Sequence, residues 1–227
     1  MNQYKYLLFD ADNTILDFTS SEEQALRELF SKFGIKNFEL GRHHFHEVSK
    51  RIWEDLEGGR ISMDYLKVQR FRMLLDVLKH DSNPEHMANF FLEQLSRQEH
   101  MISDAPEVLS ELYEHYDLYV ASNGFYDIQV NRFKTTGLHP LFKDYFISEE
   151  IGYSKPDVRY FEEIVNRIKP SKTTELLMIG DSMTSDIKGA VNSGIDAVYF
   201  NPHGQKSDMA KYNIDKLTDL LELLEVK

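Results

Sequence analysis

Asp10 and Asp12 stand one residue apart directly after the apolar run Tyr4 to Phe9, with Asn13 and Thr14 behind them. Acids at that spacing past the end of a strand share a side and can converge on one ion or one phosphorus atom. The same residues also make an ordinary Asx turn. A second pair of acids, Asp181 and Asp186, follows the apolar run Leu176 to Ile179 and Gly180. Four carboxyl groups in one pocket repel one another unless a cation lies among them. An all-oxygen ligand set suits magnesium, which keeps waters and leaves room for a phosphate. Asp186, at the start of the next helix, reads equally well as a helix cap.

Two further stretches carry groups that bind anions. Ser122, Asn123 and Gly124 follow Leu118 to Ala121 and precede a helix, so a hydroxyl and exposed backbone N–H groups can hold a phosphate there. Such a tripeptide is also a common turn. Lys155 precedes Pro156 in the loop Gly152 to Asp157. A lone loop lysine is ordinarily solvated. Here the proline is expected to fix the local backbone and start a helix, with the ammonium on the same edge as the acids, where it offsets their charge and grips a phosphoryl oxygen.

These residues need a scaffold that brings distant segments together. The second half of the chain alternates helix and strand. Helices are expected over Pro106 to His115, Tyr126 to Thr136, Val158 to Ile168 and around Asp186 to Ser193. Strands are expected over Leu118 to Ala121, Tyr145 to Ser148, Leu176 to Ile179 and Ala197 to Phe200, with a closing helix from Lys216 to Val226. Such alternation specifies an α/β fold, a Rossmann-like parallel sheet with helices on both faces, to which the strand Tyr4 to Phe9 belongs. In an open sheet of this kind, ligands bind beyond the carboxyl ends of the strands, where the acids lie.

Between the first strand and this alternation the pattern stays helical. Ser and Thr at 19–21 with Glu22 look like a helix start, Gly34 ends that helix, and Gly58-Gly59 and Asn83-Pro84 mark later turns. The expected division is a catalytic core of residues 1–15 and 103–227 and an all-helical insertion of residues 16–102 docked over the sheet.

Composition narrows the functional classes. The 227 residues contain no cysteine, which removes disulfides, thiolate catalysis and cysteine metal sites. Lys and Arg number 26 against 38 Asp and Glu, a formal net charge of -12, and no basic run offers a footprint for a nucleic-acid polymer. Met1 to Lys5 lack a signal-peptide apolar region, and no segment approaches the ~20 apolar residues of a membrane span. A cytoplasmic protein without a membrane partner is expected.

Taken in order, Asp10-x-Asp12-x-Thr14, Ser122-Asn123, Lys155-Pro156 and Gly180-Asp181 with Asp186 resemble the four motifs of the haloacid dehalogenase (HAD) superfamily, and the helical insertion resembles its type 1 cap. The segments Arg51 to Asp55, Gly58 to Ser62, Ser122 to Phe125 and Ile147 to Gly152 are similar to the YjjG-type branch, whose members are nucleotidases for nucleoside 5'-monophosphates, notably pyrimidine ones. The resemblance implies a magnesium-dependent phosphomonoester hydrolase with a small-molecule phosphate ester as substrate. It implies Asp10 as the nucleophile that forms an aspartyl-phosphate and Asp12 as the acid and base. Magnesium would sit on the Asp10 carboxylate, the Asp12 backbone carbonyl and Asp181, supported by Asp186. Ser122, Asn123 and Lys155 would hold the phosphoryl group. Dehalogenases of the superfamily carry no acid at the place of Asp12, so its presence points to phosphoryl transfer. A phosphatase or phosphomutase for sugar phosphates or other small metabolites shares every one of these residues, and a catalytically silent binding module is the alternative of another class.

Other candidates stay in the background. His43, His44 and His46 crowd one helical stretch beside Glu47, and without a matching ligand pair a solvated helix face explains them. Trp53, Phe71, Phe90 and Phe91 sit at core spacing. Phe18, Phe125 and Tyr126 flank the phosphate-binding stretches and are candidates for the wall against the leaving group.

Overall fold

The computed structural model describes residues 4–226. It divides into two compact units, Met1–Phe18 with His100–Lys227, and Thr19–Glu99.

The first unit opens with strand β1 (Tyr6–Phe9). After the insertion come α5 (Ala105–Tyr113), β2 (Asp117–Ser122), α6 (Tyr126–Thr135), β3 (Asp144–Ile147), α7 (Ser148–Ile151), α8 (Val158–Ile168), β4 (Leu176–Gly180), α9 (Gly189–Asn192), β5 (Asp196–Phe200), β6 (Tyr212–Ile214) and α10 (Asp219–Leu223). The six strands form one parallel sheet in the order β3-β2-β1-β4-β5-β6. The chain runs outward from β1 through β2 to β3, then returns to place β4 on the other side of β1. The strand order therefore reverses beside β1, the place where open sheets of this kind bind ligands at the carboxyl edge.

Alternate strand residues build two separate cores, as a sheet covered on both faces requires. Leu7, Phe9, Leu118, Val120, Leu177 and Ile179 pack with Val108, Leu109 and Leu112 of α5, Phe133 of α6 and Leu220 of α10. Leu8, Ala121, Phe146, Met178 and Ala197 face the other way, onto Tyr160, Phe161 and Ile164 of α8.

Several elements differ from the sequence reading. The helix expected around Asp186 to Ser193 is a wider π-type turn over Met183–Lys188 that runs into α9. The closing helix shrinks to α10, and the edge strand β6, three residues long, goes unforeseen because so short a run carries no periodicity. Pro156 does not start α8. Asp157 is the N-cap, its carboxylate accepting from the Arg159 N–H, and the helix begins at Val158. Residues 16–18 and 100–102, assigned to the insertion from sequence, lie with the sheet. Leu16 bridges Met101 in antiparallel fashion, Asp17 N donates to His100 O at 3.1 Å and Ile102 N to Ile15 O at 2.9 Å.

The second unit, with Phe18 from the first, forms α1 (Phe18–Phe33), α2 (Phe38–Glu57), α3 (Met63–Leu78) and α4 (Pro84–Ser96). Asn37, Ser62 and Asn83 cap the last three, each side-chain oxygen accepting a backbone N–H three residues on. Thr19 to Ser21, expected to begin α1, lie within its first turn. Phe45, Phe71 and Phe91 meet at centroid distances of 5.4–5.5 Å. The Arg70 guanidinium lies 4.9–5.5 Å from all three rings, buried to 2% exposure. Burial lowers its pKa to about 10, so it stays charged and the rings' negative faces compensate part of its lost hydration.

Truncating Phe71→Ala therefore lowers stability by about 3–5 kcal/mol. Phe90→Ala, on a half-buried ring of α4, costs less. Urea unfolding of the two variants measures the difference, and equal losses would show that the three-ring cluster does not hold this unit together.

Candidate active site

Asp10 follows β1, Ser122 ends β2 and Asp181 follows β4, so three adjacent central strands deliver them to one edge. Asp10 N donates to Ile179 O at 2.8 Å, which carries the pairing of β1 and β4 one residue past the strand. The chain then turns sharply through Asn13, whose φ of 62° suits asparagine's tolerance for left-handed backbone.

Lys155 lies at the centre of the group and is 1% exposed. Its ammonium donates to Asp10 Oδ1 at 2.7 Å, to Asp186 Oδ1 at 2.6 Å and to the Ala121 carbonyl at 2.7 Å, which uses its three hydrogens. Burial alone would drive this amine neutral, but the Asp10 and Asp186 carboxylates more than offset that and raise its pKa. Asn123 fixes the loop that carries it. The Asn123 side chain accepts from Lys155 N and donates to Lys155 O, both at 2.8 Å.

Asp186 is wholly buried and does not cap a helix. Ser182 caps the following turn, while Asp186 accepts from Lys155 and from Ser182 N at 3.0 Å. Gly180 makes room for it. A Cβ on Gly180 would lie 2.5 Å from Asp186 Cγ and 2.7 Å from its Cβ, too close for any larger residue without displacing the acid.

Ligand oxygens of Asp10, Asp181 and Asp186 lie within 4.8 Å of one another. Burial pushes the Asp10 carboxyl well up, with Lys155 pulling it down and Asp186 and Asp181 adding to the rise. Burial likewise lifts Asp181 to about 7, with Asp186 the next cause. Three carboxylates against one ammonium leave a formal excess of two negative charges, the charge that one divalent cation supplies. The donors are all oxygen, as a hard cation requires.

Asp12 stands apart from this trio. The sequence reading placed four carboxyl groups in one pocket, but the Asp12 side chain turns to α6. There it pairs with Arg132, and its Oδ2 accepts from Gln129 Nε2 at 2.7 Å. Gln129 Nε2 also reaches Ser122 Oγ at 3.0 Å. Gln129 and Arg132 were not singled out from sequence. Their one legible signal is the three-residue spacing that sets both on one side of a helix.

The remaining candidates scatter. Phe18 lies against the Arg132 guanidinium, 5.7 Å from ring centroid to Cζ. Phe125 precedes α6, and Tyr126 is exposed with its N–H on Glu149. His46 pairs with Glu22 at 2.9 Å, and His43 and His44 lie near Glu47 on the partly exposed face of α2.

With this geometry in view, known proteins give a consistent answer. The chain belongs to the haloacid dehalogenase-like hydrolase family, which matches residues 4–194. Pyrimidine 5'-nucleotidase PynA of Streptococcus pneumoniae is 36% identical over 226 residues, 98% of this chain and 95% of that protein. Pyrimidine 5'-nucleotidase YjjG of Escherichia coli is 25% identical over 225 residues, 98% of each. Among solved structures, magnesium-bound YfnB of Bacillus subtilis superposes with a TM-score of 0.90 at 33% identity, covering 98% of this chain and 99% of that one. The protein is a hydrolase of this family. Among the described residues, no helix is long and apolar enough to cross a membrane.

Replacing Lys155→Met leaves Asp10 and Asp186 buried without their cation and costs about 3–5 kcal/mol of stability. Urea unfolding checks this, and a loss below about 1 kcal/mol would mean that the ammonium does not neutralise the pair.

Proposed function

We propose that the protein is a magnesium-dependent phosphomonoester hydrolase acting through an aspartyl-phosphate, with nucleoside 5'-monophosphates, pyrimidine ones first, as its substrates. The observation that carries this reading is the meeting of Asp10, Asp181, Asp186 and Lys155 at the point where the strand order reverses. The nucleotide preference rests on the pneumococcal and Escherichia coli relatives, both pyrimidine 5'-nucleotidases. In the same reading, residues 19–99 are the cap.

Asp10 is the nucleophile: one carboxylate oxygen bonds to phosphorus as the ester oxygen departs. Asp12 gives that oxygen a proton and then takes one from the water that cleaves the acyl phosphate. Lys155 holds Asp10 in place and adds positive charge where the transferring group gathers negative charge. Ser122 accepts from Gln129, which leaves its own hydrogen free to donate to a phosphoryl oxygen. The Asp10 carboxylate, the Asp12 backbone carbonyl and Asp181 would hold magnesium, with Asp186 orienting the set through Lys155. Bound there, the ion would draw charge from the phosphoryl oxygens and screen the carboxylates from one another.

Asp10→Asn keeps the shape of the side chain and an acceptor for Lys155 while removing the nucleophile. Phosphate release from nucleoside 5'-monophosphates, sugar phosphates and an aryl phosphate is expected to vanish in this variant with the fold intact. Full release by the folded variant would refute the role of Asp10, and a wild-type preference for a sugar phosphate would displace the nucleotides.

Magnesium also ties stability to pH. The Asp181 carboxyl is raised from 3.8 to about 7, so in metal-free protein its contribution is fully present below about pH 4 and is lost as the pH rises through about 7. An ion bound to the carboxylate form reverses that loss, adding about 2.7 kcal/mol at a hundredfold excess over Kd. The rise in Tm on adding magnesium is thus expected to be larger above neutrality than at mildly acidic pH. A rise independent of pH would remove Asp181 from the ligand set.

A further inference from the structure

We propose that Arg132 and Gln129 of α6 are positioning residues that fix the Asp12 carboxylate in the orientation from which it protonates the leaving oxygen. This rests on the phosphatase reading above and assigns a task to residues outside its motifs.

Both Asp12 oxygens are engaged from the same helix. Arg132 Nη1 binds Oδ1, and Gln129 Nε2 donates to Oδ2 at 2.7 Å. Arg132 Nη1 also donates to Gln129 Oε1 at 3.1 Å. That bond settles which way the amide faces: its oxygen meets the guanidinium, so its nitrogen must point to Asp12 and Ser122. The three residues thus form a closed set in which no member rotates without breaking a bond to another. The set is also held from outside. Arg132 is 1% exposed and lies against Phe18. Gly124 leaves the space that the Gln129 side chain fills, since a Cβ there would lie 3.0 Å from Gln129 Cγ.

Fold stability alone does not account for the arrangement. Burying a guanidinium costs several kcal/mol of hydration, and a buried ion pair is often no more stabilising than well-packed apolar side chains of similar volume. The arrangement does hold Asp12, 28% exposed in its side chain, away from the Asp10, Asp181 and Asp186 trio while leaving it open to solvent and substrate. It further ties Asp12 to Ser122 through a single amide, so the acid and the phosphate-binding hydroxyl keep a fixed relation. In the reaction, the Asp10 oxygen-to-phosphorus bond forms and the ester phosphorus–oxygen bond breaks. The Asp12 proton passes to the departing oxygen, which leaves as the alcohol.

The test is the dependence of kcat/KM on the leaving group, because this ratio reports steps up to departure of the alcohol. Arg132→Met, Arg132→Lys and Gln129→Met are compared with wild type on a nucleoside 5'-monophosphate, whose alkoxide needs a proton, and on para-nitrophenyl phosphate, whose phenolate leaves without one. Circular dichroism and thermal unfolding verify the fold. Arg132→Met is expected to lose about 10- to 100-fold on the nucleotide and no more than about threefold on the aryl ester, and Arg132→Lys to recover part of the loss, whereas Gln129→Met, which also releases Ser122, is expected to lose on both esters with the larger loss on the nucleotide. Should Arg132→Met fail to fold, Arg132→Lys and Gln129→Met carry the same comparison. Equal losses on both esters, or none, in a folded variant overturn the assignment while leaving the phosphatase reading intact. Absence of phosphate release by wild type from either ester removes that reading and the assignment with it.

Discussion

The ammonium of Lys155 is the constraint around which the first unit is arranged. It reaches the carboxylate after β1, the main-chain carbonyl of Ala121 in β2 and the acid carried by the turn after β4. Three segments far apart in sequence are thus tied at one buried charge. Such a charge persists only where its hydrogens are all accepted and its field is balanced. Each requirement is met by a residue with little freedom to vary: Asn123 clamps the lysine's own backbone, and Gly180 yields the volume that Asp186 occupies.

Balance at the lysine leaves imbalance beside it. Among the described residues, Asp181 pairs with no ammonium of its own and lies close to two acids that share one, which is why burial and Asp186 lift its pKa to about 7. Electrostatic discomfort of this kind is what a cation site looks like before the cation is counted. Asp12 sits in a different environment from this strained trio: acids of one residue type are placed either in an all-oxygen cluster with unbalanced charge or against a guanidinium and an amide.

Much of this was legible in the sequence because charge after an apolar run is a strong signal. Asp10, Ser122 and Asp181 each close or follow such a run, and the alternation of helix and strand put them at one edge before any coordinates. The bounds of α8 follow from its apolar periodicity alone. What stayed hidden depends on contacts between distant segments. Arg132 sits next to Phe133 in a helix with polar residues on every side, and nothing in that string distinguishes a buried arginine from a solvated one. The π-type turn at Met183–Lys188 is likewise a tertiary product, a widening that lets Asp186 point inward to Lys155. The strand β6 is held by pairing with β5, not by its own three residues.

The short antiparallel contact between the segments on either side of the helical insertion has an architectural consequence. Because Leu16 meets Met101, and Ile102 binds Ile15, the chain leaves and rejoins the sheet at neighbouring points. The sheet's own folding then incurs little loop-closure entropy from whatever lies between, since that cost grows only with the logarithm of the loop's length. Segments spliced in at this junction can be lengthened, exchanged or redesigned over evolutionary time while the sheet and its acids stay as they are.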